Sequence, residues 1–379
     1  MVLFSLLIFV VNFLLVCYSI QKIIYIAHKK HLFDEPSEVR KIHLTKTPNL
    51  GGVAIFASMM FTSCLFFSYG NIPHLNYIIF SALMLFILGL TDDLVGVNPT
   101  KKIIAQLGVA IAITVFANCR FTHFYGFLGI TEIPYSISIF ISSLFIIFLI
   151  NAFNLIDGIN CLAASIGLLI CFVLAYYFWQ MQQTGLLFIA MATGGCLGGF
   201  LLFNKTPAKI FMGDTGSMFL GFIVAYLSIN FIELNKPGVI TNLVNPIAKA
   251  APVIVLALLI VPVFDTLRIF SMRILKNKSP FEADSNHIHH RLIDLDFSHL
   301  QSTGILLVVN IAAVVLVFLF LPIQIETLFF IVVVFALISN SILSFFHSRR
   351  NKYSKKERFS SAYQLPKQLT TLNDKPILK

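Results

Sequence analysis

Charge is scarce in this 379-residue sequence: Asp, Glu, Lys and Arg supply 12% of it, about half of what a soluble domain carries, while hydrophobic residues supply 58%. An ordinary soluble fold is excluded on that ground. Acids are scarcer than bases, 17 against 27, and the net charge of +10 would suggest nucleic acid if the chain were soluble. The bases lie along one side of the chain's topology instead, so no nucleic acid is expected as a partner. Cysteine is sparse too. Its six copies, at 17, 64, 119, 161, 171 and 196, sit mostly inside apolar runs and form no CxxC pair, so neither a zinc site nor a disulfide framework is supported. A soluble-type phosphate loop and an internal repeat are both missing.

What the sequence has is phenylalanine, 39 of them, and long apolar runs. Runs bounded by polar breaks fall near 2–27, 51–68, 77–91, 103–119, 136–153, 159–179, 185–203, 216–233, 247–270, 303–320 and 326–347. They predict an all-α polytopic membrane protein with about eleven transmembrane helices. The first run has no basic residue before it and Lys22, Lys29 and Lys30 at its far end, so it reads as an uncleaved span with the N-terminus outside. Alternation then places 24 of the 27 basic residues on the inner side and leaves Arg120, Lys236 and Lys249 outside. By the positive-inside rule the N-terminus lies outside, which in a bacterial inner membrane is periplasmic, and the C-terminus lies inside, cytoplasmic. Residues 1–347 would form the membrane domain. Residues 348–379, with nine bases against Glu357 and Asp374, would form a disordered basic tail drawn to anionic lipid. Gly194, Gly195, Gly198 and Gly199 give two GxxxG spacings suited to close helix approach.

Ionisable groups are costly in bilayer, so their position at span ends is informative. Five inner loops carry acids, amides and imidazoles that could converge on one water-accessible cleft. The pair Asp92-Asp93 is followed by Lys102, a pattern that suits a Mg²⁺-phosphate group, although such a pair taken alone is more often a helix-end cap. Asn151, Asn154, Asp157, Gly158 and Asn160 crowd the end of another span, and backbone capping would satisfy only one or two of them. Asn204, Lys205, Lys209, Phe211, Gly213, Asp214, Gly216 and Ser217 mark a third cluster, where Asp214 could cap the next helix or hold a cation. Asp284, His287, His289, His290 and Arg291 occupy the longest inner loop. With no cysteine beside them, contact with an anion is the better use of these histidines than a transition metal.

In this order and on one side, the clusters resemble the polyprenyl-phosphate N-acetylhexosamine-1-phosphate transferase family. The stretch Arg40-Lys41-Ile42-His43 through Pro48-Asn49-Leu50-Gly51-Gly52 looks like that family's first cytoplasmic loop. His287-Ile288-His289-His290 looks like the bacterial branch that uses UDP-N-acetylglucosamine to begin a lipid-linked cell-surface glycan; the phospho-muramoyl-pentapeptide branch shows three consecutive histidines. The resemblance implies attack of undecaprenyl phosphate on the β-phosphorus of a UDP-linked N-acetylhexosamine, with release of UMP. It implies Mg²⁺, with Mn²⁺ as an alternative, held by Asp214 and Asn154, and Lys102 on phosphate. Asp92 and Asp93 would bind the lipid phosphate or take its proton. His43, Asp157, Gly158, Asn160, Asn204 and Phe211 would belong to substrate binding, with the uracil between Gly158 and the ring of Phe211. His287, His289, His290 and Arg291 would contact sugar and diphosphate. A homodimer is compatible with this picture.

Three positions depart from the family pattern: Asn160 stands for a usual Asp, Cys161 for Gly and Lys46 for a frequent Pro. The competing reading is a transporter or flippase for sugar nucleotides or lipid-linked sugars, which would share the span count and basic inner face. Such proteins place substrate sites near the midplane and often show repeated halves, and neither feature is present.

Overall fold

A hydrocarbon core offers no water to backbone amides, so apolar runs close their hydrogen bonds internally as helices. The computed structural model describes residues 1–32, 47–69, 72–237, 246–275, 287–321 and 323–363, and among them there is no strand, only helices, turns and one isolated bridge. In order these are α1 (Val2–Lys30), α2 (Gly51–Phe66), α3 (Leu75–Val95), α4 (Pro99–Ile111), α5 (Tyr135–Ile156), α6 (Leu162–Gln180), α7 (Thr184–Asn204) and α8 (Gly213–Leu234). They are followed by α9 (Pro246–Leu258), α10 (Ile260–Leu275), the short α11 (Ile288–Ile293), α12 (His299–Leu319) and α13 (Ile325–Tyr363).

Every expected apolar run becomes helix, but fewer than eleven qualify as full spans. Among the described residues nine helices are long and apolar enough to cross a bilayer, and ten if α9 and α10 count as one bent span. The shortfall is α2, which at 16 residues is shorter than the roughly 20 a bilayer needs, whereas a further helical turn at Ala112–Phe116 extends α4 to 18 residues. The run at 247–270 is broken, not straight: α9 and α10 meet at 63°. Pro262 has no N–H, and its ring crowds the carbonyl four residues back, which is that of Leu258. Asn310 of α12, fully buried, donates its amide to the Leu258 carbonyl at 3.0 Å and to that of Ala257 at 3.4 Å. The boundary drawn at 347 is likewise not a helix end. With no Pro or Gly before Pro366, α13 runs on to Tyr363.

The bundle is graded from centre to rim. In α8 83% of the spanning window is buried and in α7 78%, against 28% in α1 and 17% in α13, so α7 and α8 form the core and α1 and α13 face lipid. The glycines of α7 do what their spacing predicts. A Cβ on Gly195 would stand 2.2 Å from the Phe9 carbonyl, and one on Gly199 2.7 Å from that of Phe13, so α1 lies directly on the backbone of α7.

At one end of the bundle the chain between α4 and α5 folds into a small hairpin around the His123–Glu132 bridge. Glu233 at the foot of α8 accepts from the Thr122 N–H and hydroxyl, both at 2.7 Å, and pairs with Lys236 at 3.0 Å. Arg120 bonds the Ser138 hydroxyl at 2.8 Å and lies over the Tyr135 ring. The remaining polar clusters gather at the opposite end.

Candidate active site

The site is built where α3, α5 and α7 end and α4, α6 and α8 begin. Asp92 lies in the last turn of α3, and its Oδ1 accepts the Val97 N–H at 2.7 Å, tightening the reversal into α4. The side chain of Asn98 caps α4 at the Thr100 N–H, with Pro99 at the first helical position where its missing N–H costs nothing. That reversal returns Lys102 to Asp92. Lys102 Nζ donates to Asp92 Oδ2 at 2.5 Å and to Asp214 Oδ2 at 2.7 Å, joining residues 112 positions apart.

Asp214 occupies the first turn of α8. Asp93, next to Asp92, turns the other way: its Oδ1 accepts the Asp214 N–H at 2.7 Å, and its Oδ2 accepts the N–H and hydroxyl of Thr215 at 2.9 and 2.5 Å. Asn154 near the end of α5 donates to Ser217 Oγ at 3.0 Å and also reaches the Asp214 carboxylate. Asp157, three residues on, is pushed well above the usual carboxylate range by burial and by the negative charges of Asp214 and Asp93.

The turn after α5 is held by amides. Asn204 Oδ1 accepts the Cys161 N–H at 2.6 Å and its Nδ2 donates to the Ile210 carbonyl at 2.8 Å, so this buried side chain is engaged by backbone on both sides. Asn160 Nδ2 donates to the Thr206 hydroxyl at 2.9 Å, while its buried Oδ1 has no hydrogen-bond partner among the described residues. Cys161, where the family pattern has Gly, adopts φ 69°, a left-handed conformation that explains why Gly suits the position. Burial pushes its thiol up to about 11.

The segment around Phe211 pairs with the end of the first loop. Phe211 N–H donates to the Pro48 carbonyl at 2.9 Å, and Gly51 N–H returns to the Phe211 carbonyl at 2.9 Å. Where a uracil slot between Gly158 and Phe211 was expected, the atoms nearest the open side of Gly158 belong to His289: a Cβ there would stand 2.3 Å from its Nε2.

His289 belongs to α11 with Ile288, His290 and Arg291, and His287 immediately precedes it. The three imidazoles cluster, with ring centroids 4.4 Å apart for His289 and His290 and 5.3 Å for His287 and His289. His289 is 1% exposed, and neither ring nitrogen has a hydrogen-bond partner among the described residues. Burial first, then the neighbouring His290, bring its pKa down to about 3, so the ring is neutral. Arg291 donates to Ser344 of α13 at 2.9 Å.

The structure therefore brings Asp92, Asp93, Lys102, Asn154, Asp157 and Asp214 together, and joins Gly158 to His289. His43 and Asp284 lie outside the described residues. Sequence reasoning counts Asp265 of α10 only among the acids at inner span ends and gives it no site role; it is 1% exposed, its Oδ1 accepts the Ile288 N–H at 2.9 Å and its Oδ2 faces His287 Nδ1 at 3.1 Å. An acid buried that deep in an apolar run was the available signal.

The donor set fits a hard divalent cation. Asp92 and Asp214 already accommodate one positive charge between them, that of Lys102, and Asn154 adds an amide beside Asp214. No group of three His, Cys, Asp or Glu that could hold a metal exists among the described residues.

Residues 75–232 match the model of glycosyl transferase family 4. The chain is 33% identical over 319 residues, 81% of its length and 84% of the relative's, to the probable undecaprenyl-phosphate N-acetylglucosaminyl 1-phosphate transferase of Bacillus subtilis (strain 168). It is 28% identical over 282 residues, 73% of each chain, to the undecaprenyl-phosphate alpha-N-acetylglucosaminyl 1-phosphate transferase of Escherichia coli O157:H7. A phospho-N-acetylmuramoyl-pentapeptide-transferase of Enterococcus faecalis is 34% identical over 200 residues, 49% of this chain and 61% of its own.

Proposed function

The chain belongs to glycosyl transferase family 4, and we propose on that footing that it moves N-acetylglucosamine 1-phosphate from its UDP-linked form to undecaprenyl phosphate. A phosphate oxygen of the lipid attacks the sugar-bearing phosphorus. The bond from that phosphorus to the bridging oxygen breaks, and UMP leaves with the electron pair. One phosphoanhydride replaces another, so the barrier is mainly electrostatic, and positioning with charge stabilisation supplies the catalysis. The observation that carries this reading is the convergence of Asp92, Lys102, Asn154 and Asp214 at one membrane end, where two carboxylates share one ammonium.

Lys102 draws phosphate oxygens toward the site while Asp92 and Asp214 hold its ammonium in place. Asp214 and Asn154 would hold Mg²⁺, which neutralises pyrophosphate charge when bound. A phosphate monoester is largely dianionic at neutral pH, so no strong base is demanded of the protein. Neutral His289 offers one N–H donor and one acceptor beside Gly158, and Arg291 with His290 supplies donors for an anion. Asn160, with its unmet oxygen, would accept the N3–H of uracil. Asn204 serves the site by fixing the turn at Cys161. The site faces the cytoplasm of a bacterial inner membrane, where 24 of 27 basic residues are placed by the positive-inside rule. A transporter would place its polar groups near the midplane, and here they stand at helix ends.

The decisive experiment incubates washed membranes with labelled UDP-N-acetylglucosamine and undecaprenyl phosphate. Release of UMP with a labelled lipid diphosphate is the expected result. Release of UDP, or uptake of the label into vesicles without a lipid product, refutes the proposal.

A further inference from the structure

Asp92 and Asp93 are adjacent in sequence and opposite in use. The first N–H groups of a helix have no partner within it, and the residue just before the helix usually meets that need with a side-chain oxygen. For α8 that residue is Met212, which has none to give. Asp93 supplies it from another helix. Its two oxygens take three donors, the Asp214 N–H at 2.7 Å, the Thr215 N–H at 2.9 Å and the Thr215 hydroxyl at 2.5 Å.

Gly213 makes the approach possible. It has φ +72°, and a Cβ there would stand 2.7 and 2.8 Å from the Asp93 oxygens and 2.3 Å from the Asn49 carbonyl. Asp92 has the other task, holding Lys102 against the Asp214 side chain. One acid of the pair thus fixes the backbone of Asp214 and its neighbour fixes the charge opposite it. A carboxylate at a helix N-terminus is also favoured by the helix dipole. Asp265 repeats the device at α11: His287 provides no side-chain cap there, and Asp265 accepts the Ile288 N–H from α10.

We propose that Asp93 is a positioning residue for Asp214, a cap supplied to α8 by α3, and neither a ligand of the lipid phosphate nor its proton acceptor. The kinetic part of the proposal rests on the transferase reading above; the capping part does not.

The test compares the full-length enzyme with Asp93→Asn, Thr215→Val and the double variant. Thr215 is fully buried, so it touches no lipid head group, and Thr215→Val removes one of Asp93's three donors while keeping the shape. Thr215→Val should lower kcat by roughly three- to tenfold, in line with one lost hydrogen bond. Asp93→Asn should lower it by about a hundredfold, with the KM for undecaprenyl phosphate changing by less than about twofold in each. Because the two residues share one interaction, the double variant should be no more than about twofold slower than Asp93→Asn. Amide hydrogen exchange at residues 213–216 should accelerate in Asp93→Asn. The proposal is overturned if the lipid-phosphate KM rises by about tenfold or more, if Thr215→Val matches wild type, or if the two losses multiply. Should Asp93→Asn fail to insert, Thr215→Val decides alone. Should the wild-type protein transfer nothing, the transferase reading fails, and unchanged exchange at Asp214 and Thr215 still refutes the cap.

Discussion

The two ends of this bundle treat charge differently. At the hairpin end two ionised groups are answered locally: Glu233 by Thr122 and Lys236, Arg120 by Ser138 and the Tyr135 ring. At the other end Lys102 is shared between two carboxylates, Asp157 is crowded by two more acids, and both nitrogens of His289 and the oxygen of Asn160 stay unmet among the described residues. Structural polar groups settle their hydrogen bonds within the fold, because a buried unmet group costs about 1–3 kcal/mol. A neutral imidazole left unsettled at the same end as these acids and Lys102 is held ready for something that arrives.

The largest effect that would sharpen the contrast is at Asp214. Asp214→Asn should lower transfer by roughly 10²–10³-fold or more while the protein still inserts, since no cavity is created and the loss is electrostatic. Near wild-type turnover at limiting Mg²⁺ would return Asp214 to a structural role. Glu233→Gln should do the reverse, lowering the melting temperature in detergent with a loss of about 1–3 kcal/mol and leaving kcat within about twofold. A large loss of turnover there would dissolve the distinction between the two ends.

A smaller effect concerns pH. His289 has its pKa lowered to about 3 from an ordinary 6.5, so below pH 6.5 the unfolded chain binds a proton that the folded chain refuses. Stability is therefore present above pH 6.5 and falls as the pH drops, by about 2 kcal/mol between pH 6.5 and 5. Thermal melts should show that slope in the wild type and a flatter one in His289→Phe. Equal slopes would mean that the ring is accessible to protons. The smallest effect is at Cys161, where Cys161→Gly should stabilise the fold by about 1 kcal/mol by relieving a left-handed conformation, with transfer unchanged.

Much of this was legible beforehand, for reasons that also explain what was not. Apolar runs and the charges at their ends report helices directly, because bilayer leaves the backbone no alternative. The clusters carrying Asp92, Asn154 and Asp214 were visible because polar residues beside lipid need a reason. Their division of labour was not, since nothing in the pair Asp92-Asp93 says which acid turns toward Lys102 and which toward an amide 121 residues away. Asp265 is visible as an acid at an inner span end but not as a partner of 287 and 288, which lie across a loop from an apolar run that reads as one straight span. Spacing places Asn204 with the substrate-binding residues but does not reveal that the backbone at 161 and 210 also engages its amide.

The meeting of α9 and α10 has a consequence for how the protein moves. A broken helix in hydrocarbon would be a hinge if its freed carbonyls could trade partners, but Asn310 bonds those of Ala257 and Leu258 where no water competes. The elbow is thereby braced to α12, and it acts as a bracket that carries Asp265, and with it the start of the histidine helix, beyond a 63° bend. An empty and a loaded enzyme should share that angle, and a bulky donor must be admitted by motion elsewhere.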